Sequence, residues 1–301
     1  MKTPDVVVYL SSLQKQTASR KIDTLMAFAA GAQSQGATVH VETKNIYTPS
    51  KLAVILGWAS PLQQSPNIKL RAHVVQQQKQ QGNHVMAIDA NCFKFADPDS
   101  RYLRYSINGV YYDTSEYANA NSDASKWHQL SQDINVQLQD WRSTGNYILL
   151  LIQRDGGWSM KGADPVIWAR KKIKRIRSQC DMPIVLRPHP GKIVDLSSLT
   201  NATVVVSDTV ARSLQQDIDQ AAAAVVFNSS SGVAAILHGV PLWVDDPGSV
   251  CWAVANKDID QIQNPVFFDR NQWINDLAAC HWTDEESRQG LVFQKFLPYI
   301  T

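Results

Sequence analysis

The chain has 301 residues, 44% hydrophobic and 19% charged, which is enough apolar content for two α/β domains with a core in each. Its 29 lysines and arginines nearly balance 27 aspartates and glutamates, and a net charge of +2 excludes binding to nucleic acid by bulk charge alone. Cys92, Cys180, Cys251 and Cys280 are widely spaced with no Cys-x-x-Cys pair, which excludes a disulfide framework or a cysteine zinc site.

The start, Met1-Lys2-Thr3-Pro4-Asp5, lacks a signal-peptide pattern, and the apolar run Val6 to Leu10 is too short to span a bilayer. The expectation is a soluble, cytoplasmic protein. The first half then alternates strands with helices. Val6 to Tyr9 reads as a strand, Ser19 to Gln35 as a helix and Thr38 to Glu42 as a second strand. Leu52 to Trp58 supplies a strand and turn, Ile68 to Gln81 a helix, and His84 to Ile88 a strand that Asp89 follows directly. Between Ala90 and Asp140 the pattern loosens. There Tyr102, Tyr105, Tyr111, Tyr112, Tyr117 and Trp127 suit either an acceptor surface that stacks on sugar or base faces, or a local core. The stretch Gln139 to Asn146 reads as a hinge between domains.

Tyr147 to Ile152 is the strongest apolar strand, and it ends in the loop Gln153-Arg154-Asp155-Gly156-Gly157-Trp158-Ser159-Met160-Lys161-Gly162. Glycines give this loop freedom, and Arg154 and Lys161 give it positive charge, as a flap over phosphates or acceptor requires. A helix follows from Asp164 to Arg177. Its run Arg170-Lys171-Lys172-Ile173-Lys174-Arg175-Ile176-Arg177 suits either a polyanion contact or a solvated face. Pro183 to Arg187 reads as a buried strand with Arg187 and His189 emerging at its carboxyl end, where open α/β sheets bind ligands. Arginine offers a planar donor fork to phosphate oxygens and imidazole a further donor, while Pro188 and Pro190 stiffen the loop.

Ala223 to Phe227 is another buried strand, and Val233 to Leu237 an apolar helix. Between them Ser229, Ser230, Ser231 and Gly232 can cap the helix and present backbone N–H groups to a phosphate, or serve as an ordinary capped start. Gly239 ends the helix, and Pro241 opens the strand Leu242 to Val244. Two anion-binding loops at successive strand ends suit a diphosphate.

The Arg-Pro-His-Pro-Gly strand end, the Asn-Ser-Ser-Ser-Gly helix start, the Gly-Val-Pro turn and the Gln-Arg-Asp-Gly-Gly-Trp-Ser loop resemble the carboxyl-terminal half of GT-B glycosyltransferases, notably bacteriophage-encoded ones. They are similar, more distantly, to capsule polysaccharide sugar transferases. The resemblance runs from about Trp141 to the end and covers the first half in outline. It implies an α/β GT-B-like fold, with two Rossmann-like domains facing a central cleft. Residues 1–140 would form the acceptor domain, 141–284 the nucleotide-sugar domain, and 285–301 a helix packing back toward the first. It implies a nucleotide-sugar co-substrate, taken as a UDP-sugar, and, by the phage likeness, an acceptor hydroxymethylpyrimidine in double-stranded DNA. Capsule enzymes often carry an acid after the serine motif, where this chain has Ala234, Ala235 and His238.

Sugar transfer requires stabilisation of a leaving diphosphate and, with inversion, a base for the acceptor hydroxyl. Arg154, Lys161, Arg187, His189, Ser229, Ser230, Ser231 and Gly232 are the candidate donor-binding residues. Asp89 is the first candidate base and Asp113 the second, each set against a turn or cap role. Arg170, Lys171 and Lys174 are the DNA contacts if DNA is the acceptor. The pairs Asp97/Asp99, Asp217/Asp219 and Asp258/Asp260 match a metal-binding Asp-x-Asp pattern too common to carry weight, and no metal or other cofactor is expected. The alternatives are transfer to a surface or capsule polysaccharide, a nucleotide-sugar epimerase, and a noncatalytic nucleotide- or DNA-binding module.

Overall fold

In a computed structural model, which describes residues 3–13, 18–60, 65–155, 158–191 and 194–300, the chain forms two compact units. One comprises Met1–Lys126 with Asn275–Thr301, the other Trp127–Ile274. The chain begins with β1 (Val6–Tyr9), α1 (Ala18–Ser34), β2 (Val39–Glu42), β3 (Leu52–Leu56), α2 (Pro66–Gln80), β4 (His84–Ala90), β5 (Tyr102–Ile107) and α3 (Ser125–Asp133). It continues through β6 (Tyr147–Leu151), α4 (Pro165–Arg177), β7 (Ile184–Arg187), β8 (Val204–Val206), α5 (Leu214–Ile218), β9 (Ala221–Val226), α6 (Ser231–Leu237), β10 (Leu242–Val244) and α7 (Asn271–Ala279). It closes with β11 (His281–Thr283), α8 (Asp284–Arg288) and α9 (Leu291–Phe296).

The first unit holds a six-stranded sheet in the order β11-β5-β4-β3-β1-β2. Its β2-β1-β3-β4 portion is parallel, and β5 and β11 join antiparallel. Val6, Val8, Leu52, Val54, Met86 and Ile88 face a core with Leu25, Phe28 and Ala32 of α1, while Val7, Ala53 and Val85 meet Leu70 and Val74 of α2 on the opposite face. Burial on both faces is why these strands read as continuous apolar runs. The second unit holds five parallel strands in the order β10-β9-β6-β7-β8. Its core joins Ile148, Leu150, Ile184, Leu186 and Val225 to Trp168, Ala169 and Ile176 of α4. Among the described residues, no helix is long and apolar enough to cross a membrane.

The loosely patterned segment 90–140 contains β5, and there Tyr102 and Tyr105 are fully buried and Tyr117 nearly so. These aromatics are local core, as the second of the two readings had it, and Tyr112 stacks on Tyr117 with ring centroids 5.7 Å apart. The carboxyl-terminal return to the first unit starts at 275 where the sequence suggested 285, because β11 pairs with β5 and so belongs to the first sheet. The single expected terminal helix is two, α8 and α9, divided at Gly290, whose φ of +86° no ordinary residue adopts cheaply. Phe293 of α9 packs edge-on against Phe28 of α1.

The contact between α1 and α8 depends on a missing side chain. A Cβ at Gly31 would stand 1.9 Å from the Ser287 carbonyl oxygen and 3.0 Å from the Gly290 backbone nitrogen. Gly31→Ala should therefore destabilise by about 1–3 kcal/mol, the usual cost of forcing packed backbone apart, read as a lower urea midpoint at unchanged slope. Gly36→Ala, at a φ of +87° with no atom within 4 Å of the new carbon, is the comparison. It should cost only the left-handed strain of about 1 kcal/mol.

Candidate active site

An open parallel sheet binds ligands beyond the carboxyl ends of its strands, at the point where strand order reverses. In the second unit β7 and β8 extend from one side of β6, and β9 and β10 from the other, so this point lies between β6 and β9. Gln153 follows β6, and Asn228 follows β9. They bond reciprocally: Gln153 Nε2 donates to Asn228 Oδ1 at 2.9 Å, and the Asn228 backbone N–H donates to Gln153 Oε1 at 3.2 Å. Asn228 Nδ2 donates to Asp246 Oδ2 at 2.7 Å, and Asp246 Oδ1 accepts from Lys161 Nζ at 2.8 Å and the Gly248 N–H at 3.0 Å. This chain of bonds ties the ends of β6, β9 and β10 to the loop after β6. Lys161 and Gly162 take left-handed φ values of +52° and +89°, which turn that loop back upon the sheet.

The charged loop residues have different fates. The Lys161 ammonium, expected to face phosphate, is bound to a carboxylate that is itself 6% exposed. Arg154 is exposed, and its charge acts on His189. Gly156 and Gly157 lie outside the described residues.

His189 sits in the loop after β7, where its Nδ1 accepts from the Gly191 N–H at 3.0 Å. That bond assigns the remaining proton to Nε2, which becomes the donor of the neutral ring. Burial first, and the Arg154 charge second, hold the imidazole pKa below its usual value, so the neutral form prevails at pH 7.

Arg187 occupies the expected strand end but not the expected role of an outward fork. The residue is 8% exposed. Its Nη1 donates to Asp217 Oδ2 at 2.5 Å and more weakly to Ser207 Oγ at 3.4 Å, and its Nη2 donates to the Arg212 carbonyl at 3.1 Å. Asp217 also accepts from Ser207 Oγ at 2.5 Å and Arg212 Nε at 2.7 Å. Burial pushes the Asp217 carboxyl pKa up, but bonds from Ser207, Arg212 and Arg187 outweigh it and hold the group below the usual range. Arg187 thus fixes the segment 207–213 against β7, immediately behind His189.

At the start of α6, Ser230 is the N-cap without a side-chain cap bond, and Ser229 Oγ takes the cap role by accepting from the Ser231 N–H at 3.2 Å. The Ser229 and Ser231 hydroxyls lie 2.7 Å apart. Gly232 serves packing more than ligand approach, because a Cβ there would meet Leu242 Cδ2 at 2.8 Å and Cys251 Sγ at 3.3 Å.

The basic face of α4 is largely engaged. Lys172 pairs with Asp245 at 2.5 Å, Arg175 with Asp260 at 2.5 Å, and Arg177 donates to the Met182 and Thr203 carbonyls. Arg170 reaches Ser198 Oγ at 3.2 Å, while Lys171 and Lys174 are exposed. In the first unit Asp89 lies within β4 and pairs with Arg104 of β5 at 3.0 Å, and Asp113 is exposed on a turn. The three Asp-x-Asp pairs are also occupied, with Asp97 accepting from the Arg101 and Tyr102 N–H groups and Asp258 and Asp260 facing Arg175. Among the described residues no cluster of three or more His, Cys, Asp or Glu is placed to hold a metal ion.

Asp246 stands outside the motifs read from the sequence, and Gln153 and Asn228 open two of those motifs without a role assigned to them. The signal available was the Asp245-Asp246 doublet directly after the apolar strand Leu242 to Val244, the position that β7 gives to Pro188 and His189.

Among solved structures the chain is similar to the β-Kdo 2,7 transferase of Thermosulfurimonas dismutans KpsC, at 15% identity and a TM-score of 0.58 over 97% of this chain and 99% of that one. It is also similar to the β-Kdo 2,4 transferase of the same protein, at 13% identity and a TM-score of 0.56 over 93% and 91%. No family model and no curated protein matches the sequence. The likeness shows the fold, an α/β chain of GT-B type built on two parallel-rich sheets, in agreement with the class read from the sequence.

The Asp217 node sets an acid limit on stability. Its carboxyl pKa is lower in the folded chain than in the unfolded one, so its contribution is fully present above the unfolded value of about 3.9 and disappears as pH falls through the folded value. Asp217→Ala should cost about 3–5 kcal/mol near pH 7, because it strands the Arg187 cation. Chemical denaturation should show that cost shrinking toward pH 2. A cost that stays constant with pH would remove the ionic account.

Proposed function

We propose that this chain is a glycosyltransferase, which takes a sugar from a nucleotide-sugar donor held by the second unit and delivers it to a hydroxyl of a carbohydrate acceptor. The observation that carries this reading is the meeting of a Nε2–H donor on His189, the nearby Arg154 charge and a hydrogen-bonded network at the reversal point of a parallel sheet. In sugar transfer the leaving phosphate gains negative charge as the glycosidic bond breaks. A donor already oriented by Gly191 stabilises that charge without reorganising. Arg154 adds a cation at the rim, and the Ser229 and Ser231 hydroxyls add donors at the start of α6. The Gln153–Asn228–Asp246–Lys161 network holds the surrounding loops in place. The shared fold with two proteins named as Kdo transferases supports the same class of reaction.

Asp89 is our candidate base, its carboxylate oriented by Arg104 and about one-third exposed, with Asp113 second. A carbohydrate acceptor is favoured over hydroxymethylpyrimidine DNA because Lys172, Arg175 and Arg177 are bound within their own unit, which leaves Lys171 and Lys174, exposed on α4, to meet a polyanion. The donor nucleotide, with UDP as the first choice, is to be read from a panel.

The chain should transfer a sugar from one member of a nucleotide-sugar panel to an oligosaccharide, detected as a mass gain on the glycan. A gain on hydroxymethylcytosine DNA, falling as salt rises, would install DNA as the acceptor instead. His189→Ala should weaken donor-nucleotide affinity about tenfold at unchanged melting temperature. Asp89→Asn should lower kcat by about 10²–10⁴. Unchanged affinity in the histidine variant would overturn the donor site.

A further inference from the structure

The first unit has a pocket at the amino ends of β1 and β3, the edge of the sheet opposite Asp89. Val6 and Leu52, the first residues of these strands and partners in register, line it beside Phe293 of α9 and the Leu297 and Ile300 that follow. An open sheet gathers its chemistry at the carboxyl ends of its strands, so this space stands apart from that chemistry. The pocket encloses about 180 Å³. An apolar cavity of about 150 Å³ is enough to take a benzene ring. Most of the apolar wall is buried, yet Leu297 is 40% exposed, and a guest on this wall would take it out of water. Gly36, at the turn after α1, leaves further room: a Cβ there would meet nothing within 4 Å.

The polar fringe of the pocket is charged but balanced. Lys51 Nζ pairs with Asp5 Oδ1 at 3.2 Å, and Asp5 Oδ2 accepts from the Thr38 hydroxyl at 2.6 Å and the Thr38 N–H at 3.0 Å. The Thr38 bonds, hydroxyl first, hold the Asp5 carboxyl pKa at about 2, so the pair keeps both charges at neutral pH. A carboxylate entering here meets Asp5, and an ammonium meets Lys51. The Gln35 amide lines the same space and offers donors on one side and an acceptor on the other. An uncharged hydroxyl or amide can use both without facing a like charge.

We propose that this pocket binds a small uncharged amphiphile, an alkyl or aryl alcohol or amide, whose apolar body lies on Leu52, Phe293 and Leu297 and whose polar head meets Gln35 and the Asp5–Lys51 pair. The site does not rest on the transferase reading. Its occupant bridges the end of α1 and the segment after α9, so binding stabilises the folded first unit.

The test is a titration of the full chain with benzyl alcohol, benzoate and benzylamine, followed by amide shift mapping. Benzyl alcohol should saturate below about 10 mM and bind at least about threefold more tightly than either charged analogue, with shifts centred on Gly36, Ala37 and Ile300. Ala37 lines the pocket, and Ala37→Leu should fill it and abolish binding while the rest of the amide spectrum stays in place. Should that variant fail to fold, Leu297→Ala, at a partly exposed position, should weaken benzyl alcohol about threefold. The proposal is overturned by an absence of saturation, by shifts centred elsewhere, or by equal or tighter binding of benzoate or benzylamine. Undiminished binding in whichever variant folds overturns it as well.

Discussion

Everything at the carboxyl edge of the second sheet depends on the buried hydrogen-bond chain from Gln153 through Asn228 and Asp246 to Lys161. Polar groups withdrawn from water are expensive unless each finds a partner, and a carboxylate as buried as that of Asp246 is more so. Here both Asp246 oxygens are bonded, by two side chains and a backbone N–H. The cost is thereby offset, and the loops that follow the neighbouring strands β6, β9 and β10 acquire one arrangement. Lys161 loses most of its availability as a free phosphate ligand in exchange for that rigidity.

The second constraint lies one strand away. Asp217 gathers Arg187, Arg212 and Ser207 and so decides the position of the backbone that carries His189. The division of labour is clear from exposure: the Asp217 side chain is 1% exposed, while His189 and Arg154 are exposed. Buried charges here set geometry, and the neutral imidazole of His189 and the Arg154 side chain are among the accessible donors. A preoriented neutral donor is well suited to charge that appears only as a bond breaks, because it does not hold a phosphate tightly before then.

Much of the fold was legible because strands buried on both faces leave an unbroken apolar record, as Val6 to Tyr9 and Tyr147 to Leu151 do. β5 was not, since Tyr102-Leu103-Arg104-Tyr105-Ser106-Ile107 places a charge mid-strand, tolerated through the pairing with Asp89 across the sheet and the Tyr117 ring over the guanidinium. The candidate residues were legible in their place on the strands and less so in their contacts. Arg187 and His189 do stand at a strand end, but which way an arginine turns depends on an acid thirty residues on, and local spacing contains no trace of Asp217. The serine run showed the same limit: Ser230 holds the N-cap position, yet Ser229 makes the bond. Gly232 answers to Leu242 and Cys251, neither of them near it in sequence.

The two units apply one rule with opposite electrostatics. Each has a sheet whose order reverses beside its first strand, and each pairs polar side chains across neighbouring strands, Gln153 after β6 with Asn228 after β9 in one and Asp89 of β4 with Arg104 of β5 in the other. The neutral pair shares two bonds between its members and directs Asn228 Nδ2 to Asp246, so the second unit meets its polar groups through directed hydrogen bonds. The ionic pair sets opposite charges against each other between β4 and β5 at 3.0 Å. Hydrogen-bond direction is useful where charge develops during a reaction, and standing charge is useful where a substrate must be chosen before it. Under the proposed transferase function, the second unit would assist bond breaking and the first would select what receives the sugar.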